Sequence, residues 1–371
     1  MRCVTIAVVF LAGVAGAASR VPIEIRNPAG KGFERCPITT GVPFPPGTLV
    51  SPERVRLLDE SGAPVPLQSV CTGRHADGSV RWLLLDWQAD VPVAGRRLAL
   101  EFGNDVSPTP VPAPLVVRQS ETAIEVDTGP LRFTVSRTAF NGLDALWLGG
   151  QAILTAGHRG GPYFVDDQGA RFSAVLDTAP EVAIESQGPL RTVITARGAY
   201  VNPAGAAKCR FIVRLHAVAG SAAVRVFYTW VMTEDSRALR FRDIGFLLPL
   251  PAAQGRFALE DGRALAGPRG ADTYLVQTDW DRFRTHPMTT ATPTAQPLGV
   301  LTADCGLARC VLAVRDFRQL FPKELGADSA GLSFHVWPAH GVANPERKVE
   351  DAMLQYLWFC HEGEVLDFQV P

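Results

Sequence analysis

The run Val80 to Gln88, VRWLLLDWQ, is the most restrictive stretch of this chain. Val80, Trp82 and Leu84 fall on one face of a strand, Leu83, Leu85 and Trp87 on the other. A strand apolar on both faces needs cover on both, which predicts a central strand of a barrel or sandwich. It follows a turn at Ala76-Asp77-Gly78-Ser79, where Gly78 can take the positive φ of a tight connection. Upstream, Val55 and Leu57, then Val65 and Leu67, alternate with less apolar neighbours around Asp59–Gly62, the pattern of a β-hairpin. Scarce helical periodicity, 29 prolines and 34 glycines extend the expectation to the whole chain: an all-β protein of many short strands.

Residues 1–19 carry an early arginine, an apolar run from Val4 to Val14 and small residues Ala15-Gly16-Ala17, the features of a cleaved secretory signal. The run is too short to span a bilayer comfortably. The expectation is a secreted or periplasmic protein with no membrane association after cleavage. Roughly 350 residues then remain, enough for two or three domains. Leu98, Leu100 and Phe102 alternate as a half-buried edge strand would. Prolines at every second position from Pro108 to Pro114 mark an extended spacer and a domain boundary. Beyond it, Ala123–Thr128 and Leu131–Ser136 read as a hairpin turning at Asp127–Pro130. Arg210–Val218 and Ala222–Met232 read as a longer one, with Phe211, Val213, Leu215 and Ala217 inward and Arg210, Arg214 and His216 outward. Near the end, Asn344, Pro345 and Glu346 can start a helix that Val349, Met353 and Cys360 continue and Gly363 stops.

TTGVPFPPGTL, the V-x-L-L-D…G-x-P-V-P-x-Q hairpin and DGSVRWLLLDWQ, in that order, resemble the opening of the exo-acting rhamnogalacturonan lyase-like proteins of polysaccharide lyase family 26, the YetA-like group. His75-Ala76 departs from the aromatic-Pro pair expected before Asp77. The resemblance implies that this stretch forms a small barrel of the RIFT type. It continues through GPLRTVITARGAY, RLHAVAGSAAVRVFYTW and RFRDIGFLLPLP, and there implies a central β-sandwich. An α/α toroid that helps form the active cleft follows in that family; here only its threshold is expected, so the chain is expected to be incomplete as a lyase without that domain. The expected layout is a signal at 1–19, a RIFT-type barrel at 20–106, a linker at 107–114, a larger antiparallel β-sandwich at 115–340, and a helix with the start of a truncated toroid at 341–371.

A net charge of −1, from 36 basic and 37 acidic residues, gives no general pull toward nucleic acid. HExxH, GxSxG and GxxxxGK[ST] are absent, and no clustered Asp/Glu set suggests a calcium loop, so neither a metal nor a cofactor is expected. Cys305 and Cys310, across Gly306, are the first candidates for a disulfide, with free buried thiols the alternative.

The resemblance implies β-elimination beside galacturonate in an anionic plant-type polysaccharide or oligosaccharide. That chemistry needs a cation for the uronate carboxylate, a base for the adjacent C–H and an acid for the leaving oxygen. His335, His340 and His361 flank Trp337 and Trp358, placing groups that titrate near neutrality beside aromatic faces. His340, between Pro338 and Gly341, and His361 are the catalytic candidates. Trp337, Trp280, Arg74 and His75 are the candidates for binding sugar, the last two as residues of a hairpin tip. For the histidines near the C-terminus and for Trp280, a core, interdomain or merely exposed placement is the commoner fate of such a residue; for Arg74 and His75 chance exposure and ligand binding weigh equally. A non-catalytic glycan-binding or interaction module is the alternative function.

Overall fold

The computed structural model describes residues 18–235, 239, 241–277, 281–287, 295–338 and 340, together with the backbone of short strands at 5–8, 360–361 and 364–365. The chain divides into two compact units. The first comprises Met1–Val116, Ser186–Val193 and His216–Val224; the second comprises Val117–Glu185, Ile194–Leu215 and Arg225–Pro371. Both are built from antiparallel β-sheet.

In the first unit one sheet runs Thr5–Val8, Ser19–Arg26, Arg96–Phe102, Val55–Leu58 and Pro64–Val65, and a second runs Phe33–Pro43, Val80–Val91 and Leu67–Arg74. Inward residues of both sheets share one core: Val21, Ile23, Leu57 and Leu100 from the first, Leu83, Leu85 and Trp87 from the second. This is the barrel. Its turns use the chemistry expected of them. Asp59 accepts from the backbone N–H groups of Ser61 and Ala63, and Gly62 and Gly78 each take φ of 83°.

Two expectations are corrected here. The Val80–Val91 strand is central, but only one face is greasy and sealed. On the other, Trp82 is 44% exposed, while Asp86 is 3% exposed and polar in its contacts. Leu98, Leu100 and Phe102 do not lie at an edge, because Arg96–Phe102 pairs with Ser19–Arg26 on one side and Val55–Leu58 on the other. On the other face of this strand Arg97 is exposed, while Glu101 is buried among cross-strand arginines. Glu101 is gripped by Arg20 at 2.9 Å and by the guanidinium of Arg56, two charge-assisted contacts that hold its carboxyl below the usual range.

The segments 186–193 and 216–224 cover part of the second face of that strand. Gln68 accepts from the N–H groups of Leu190 and Arg191 at 2.9 and 2.8 Å and donates to the Arg191 carbonyl at 3.1 Å. Arg191 Nε donates to Asp86 Oδ1 at 2.7 Å, and Gln88 donates to the Ala219 carbonyl at 2.6 Å. Gly188 is required here, since a Cβ would lie 2.2 Å from the Gln68 side chain.

The second unit contains the Ala123–Asp127/Leu131–Ser136 hairpin in the expected register, with Ile124, Val126, Phe133 and Val135 fully buried. Phe211, Val213 and Leu215 point inward as the alternation requires. Outward, Arg214 is neutralised by Glu185 at 2.7 Å. The Ser107–Pro114 stretch has no regular secondary structure. Of the expected helix, residues 341–359 lie outside the described residues. At Cys360–His361 the backbone is instead a strand paired with Glu364–Val365. Among the described residues no helix is long and apolar enough to cross a membrane.

Candidate functional site

Part of the largest sheet places six strands side by side, all antiparallel: Gly161–Asp166, Phe241–Leu248, Leu332–Trp337, Lys323–Ala327, Thr273–Gln277 and Phe283–His286. One cross-strand row runs Tyr163, Gly245, His335, Glu324, Val276 and Arg284. Residues directly opposite share a face. The alternate residues Leu325, Ala327 and Leu332 therefore face the other way, into a core with Phe257, Leu301 and Phe317. One face of these strands is apolar packing; the other carries the titratable groups.

Those groups form one connected network. Tyr163 donates its hydroxyl to Asp243 Oδ2 at 2.9 Å, and Asp243 Oδ1 lies 2.6 Å from His335 Nδ1. His335 Nε2 meets the Ser333 hydroxyl at 3.0 Å and faces Glu324 Oε1 at 3.6 Å. The same Glu324 oxygen lies 2.8 Å from His340 Nδ1. Asp243, Glu324 and His335 are buried, whereas the His340 side chain is 51% exposed. The His340 ring stacks on Tyr274 at 4.3 Å, and Tyr274 stacks on His286 at 5.0 Å.

Two glycines clear the space. A Cβ at Gly245 would lie 2.7 Å from the Tyr163 ring, and one at Gly326 would lie 2.4 Å from Ser333 Oγ. Gly245→Ala is therefore expected to displace Tyr163 from Asp243 and cost about 1–3 kcal/mol, read as a lower urea midpoint with an unchanged slope.

The electrostatics follow from these contacts. The hydrogen bond to Glu324 raises the pKa of His340 above the ordinary histidine value despite its partial burial. Burial alone would discharge His335, but the Asp243 and Glu324 carboxylates outweigh it and raise its pKa too. Burial, with Asp243 adding to it, pushes Tyr163 far above the usual phenol range, so it stays a neutral donor. A protonated His340 has its Nδ1–H on Glu324. Its Nε2–H makes no hydrogen bond among the described residues. An imidazolium held at one nitrogen by a buried carboxylate can give a proton, or pair with an anion, at the other.

The site unites two of the histidines singled out in the sequence, His335 and His340. Trp337 is 8% exposed, with an indole N–H that meets no acceptor among the described residues, so it is core and offers no face to a sugar. Trp280 lies outside the described residues, as does the side chain of His361, whose backbone is in the Cys360–His361 strand. Arg74 donates to the Gly78 carbonyl of its own turn at 2.7 Å, and His75 Nε2 meets the carbonyl of Phe44, 31 residues earlier, at 2.8 Å, so both side chains are engaged in holding the turn in place. Asp243, Glu324, Tyr163 and Tyr274 escaped the sequence reading. For Glu324 a signal existed: a charged residue inside the apolar strand KELGA, two positions before a glycine. Trp82 was read as covered, yet it lies over Gly73 and Gly41 of neighbouring strands, where a Cβ would stand 3.5 and 4.0 Å from the indole.

Among the described residues no group of three or more His, Cys, Asp or Glu is arranged to hold a metal ion. Fold and site together define an all-β protein of two modules, a barrel followed by a sandwich-type unit, with a surface imidazole backed by buried carboxylates. The N-terminal RIFT barrel domain of PcRGLX-like proteins matches residues 25–95, and their central β-sandwich domain matches residues 115–257. The chain belongs to this rhamnogalacturonan lyase-like family. It is 23% identical over 215 residues to the uncharacterized protein YetA of Bacillus subtilis (strain 168), a match covering 56% of this chain and 24% of that protein. The chain thus spans about a quarter of the length of that curated relative. A solved structure of a glycosyl hydrolase family 38 protein from Enterococcus faecalis superposes with a TM-score of 0.46 at 11% identity, over 86% of this chain and 40% of that one.

Proposed function

We propose that this chain is an exported rhamnogalacturonan lyase-related protein that takes an anionic pectic polysaccharide and cuts it by β-elimination. The observation supporting the substrate class is the order of the two family domains along the chain. In this reading His340 supplies the acid. Its Nδ1 is fixed by Glu324, the same contact raises its pKa and favours the protonated ring, and its Nε2–H is the donor to the leaving oxygen or the partner of the uronate carboxylate. Asp243 holds His335, whose Nε2 faces Glu324 from behind at 3.6 Å, and neither touches substrate.

The test is release of unsaturated uronate from rhamnogalacturonan fragments by the purified full chain. His340→Ala is expected to lower that rate about 100-fold while leaving the urea midpoint nearly unchanged. An equal rate in the variant overturns the role of His340; no product from the parent protein overturns the lyase reading. Export is tested separately, by N-terminal sequencing of the protein recovered outside the cytoplasm, with a start near Arg20 expected.

One observation favours a second reading, a glycan-binding module. Trp82 offers an exposed indole on a flat strip of sheet kept low by Gly41 and Gly73, a surface suited to the apolar face of one sugar ring. Trp82→Ala is expected to weaken retention on immobilised pectic fragments by roughly 1 kcal/mol, about fivefold in Kd. Unchanged retention removes the indole from the reading.

A further inference from the structure

The hairpin Pro297–Cys305/Ala308–Ala313 turns at Gly306, whose φ is 65°. Its register sets Cys305 opposite Ala308 and Cys310 opposite Ala303. The two cysteines are therefore diagonal neighbours on the same face of adjacent strands. Both are free thiols, both half-buried, and both pack on the core that includes Leu301, Leu325 and Leu332. The Cys305 thiol donates to the Ala303 carbonyl at 3.9 Å, on the strand position opposite Cys310. By contrast, Cys209 is buried beside Met232.

We propose that Cys305 and Cys310 form a reversible disulfide, closed by exchange with a small-molecule disulfide, that locks the two strands of this hairpin to each other beside its turn. The steps balance. The Cys310 thiolate attacks one sulfur of the incoming disulfide and expels one thiol. The Cys305 sulfur, giving up its proton to solvent, then attacks the mixed disulfide and expels the second. The protein loses two hydrogens and the small disulfide becomes two thiols. Two properties make the pair suited to this. The neighbouring Cys305 sulfur draws the Cys310 thiol down to about 7 while Cys310 pushes Cys305 up, so attacker and resolver are distinguished. Half-burial leaves both sulfurs within reach of a small oxidant. The loop closed is only the turn, so little stability is at stake, and the bond acts as a local latch.

Trypsin cuts after Arg309, between the two cysteines, so residues 285–309 and 310–315 stay together after digestion only if Cys305 and Cys310 are bonded. The full chain is incubated with oxidised or reduced glutathione, the remaining thiols are blocked with iodoacetamide, and the digest is weighed. The expected product of oxidation is the joined pair, about 2 Da below the sum of the separate peptides, disappearing on reduction and absent from Cys305→Ser and Cys310→Ser. In the reduced protein Cys310 is expected to be alkylated about tenfold faster than Cys71, and Cys305→Ala to remove most of that advantage. The proposal is overturned if both cysteines stay alkylatable after oxidation, if Cys310 stops at the glutathione adduct, or if Cys310 joins any other cysteine.

Discussion

Asp243→Ala is expected to lower the free energy of unfolding by about 3–5 kcal/mol, one of the two largest losses of any single substitution considered. Asp243 is 7% exposed and is the acceptor for two buried donors at once, the Tyr163 hydroxyl and the His335 ring. Removing it leaves a phenol and an imidazole without their acceptor in a place water does not reach, and such stranded groups cost more than a lost surface hydrogen bond. Asp243→Asn keeps an oxygen for Tyr163 but loses the charge that stabilises the His335 cation, so a smaller loss is expected. Urea midpoints of the three proteins check the order. A change under about 1 kcal/mol in the alanine variant shows that the network does not hold these strands together.

The same network fixes a pH dependence. His335 and His340 both have folded-state pKa values raised above those of the unfolded chain. Their contribution is fully present below the unfolded value of about 6.5 and is lost as pH rises through the folded values. Stability should therefore be greater at about pH 6 than at about pH 9, and that difference should shrink in Asp243→Asn, where His335 loses the carboxylate that favours its charge.

Asp86→Ala is the second large expectation, again about 3–5 kcal/mol. Asp86 is 3% exposed and Arg191 8%, with Nε and Oδ1 at 2.7 Å. Thr39 donates its hydroxyl to the same carboxylate oxygen at 2.5 Å. The variant leaves a guanidinium buried without a carboxylate, while the double variant Asp86→Ala/Arg191→Met removes both charges and should recover much of the loss. If the double variant is no better than the single, the cost lies in the lost volume and not in the stranded charge.

The barrel was legible because its signals are local. Val80 to Gln88 reads as a central strand from its own residues, and Gly62 and Gly78 take the positive φ that their turns demand. What misled was the same locality. Trp82 and Leu84 are apolar, yet whether that face is covered depends on residues far along the chain. Leu98, Leu100 and Phe102 alternate just as an edge strand does, because an ion pair to Glu101 and water on an outer face leave the same mark on a sequence. The candidate site was legible at His340 and His335 alone. Asp243 stands 92 residues before the histidine it binds and Tyr163 another 80 before Asp243.

By itself, then, the sequence determined the β character, the turns and most of the inward-facing residues, since side-chain alternation and turn chemistry act over a few positions. It also carried the order of motifs that places the chain in its family. Only the tertiary structure decided which strands lie side by side, and with that the meeting of Tyr163, Asp243, His335, Glu324 and His340 on one sheet face. Strand order is chosen by how whole faces pack and which buried charges find partners, an energy summed over residues far apart in sequence that leaves no period for the eye to find.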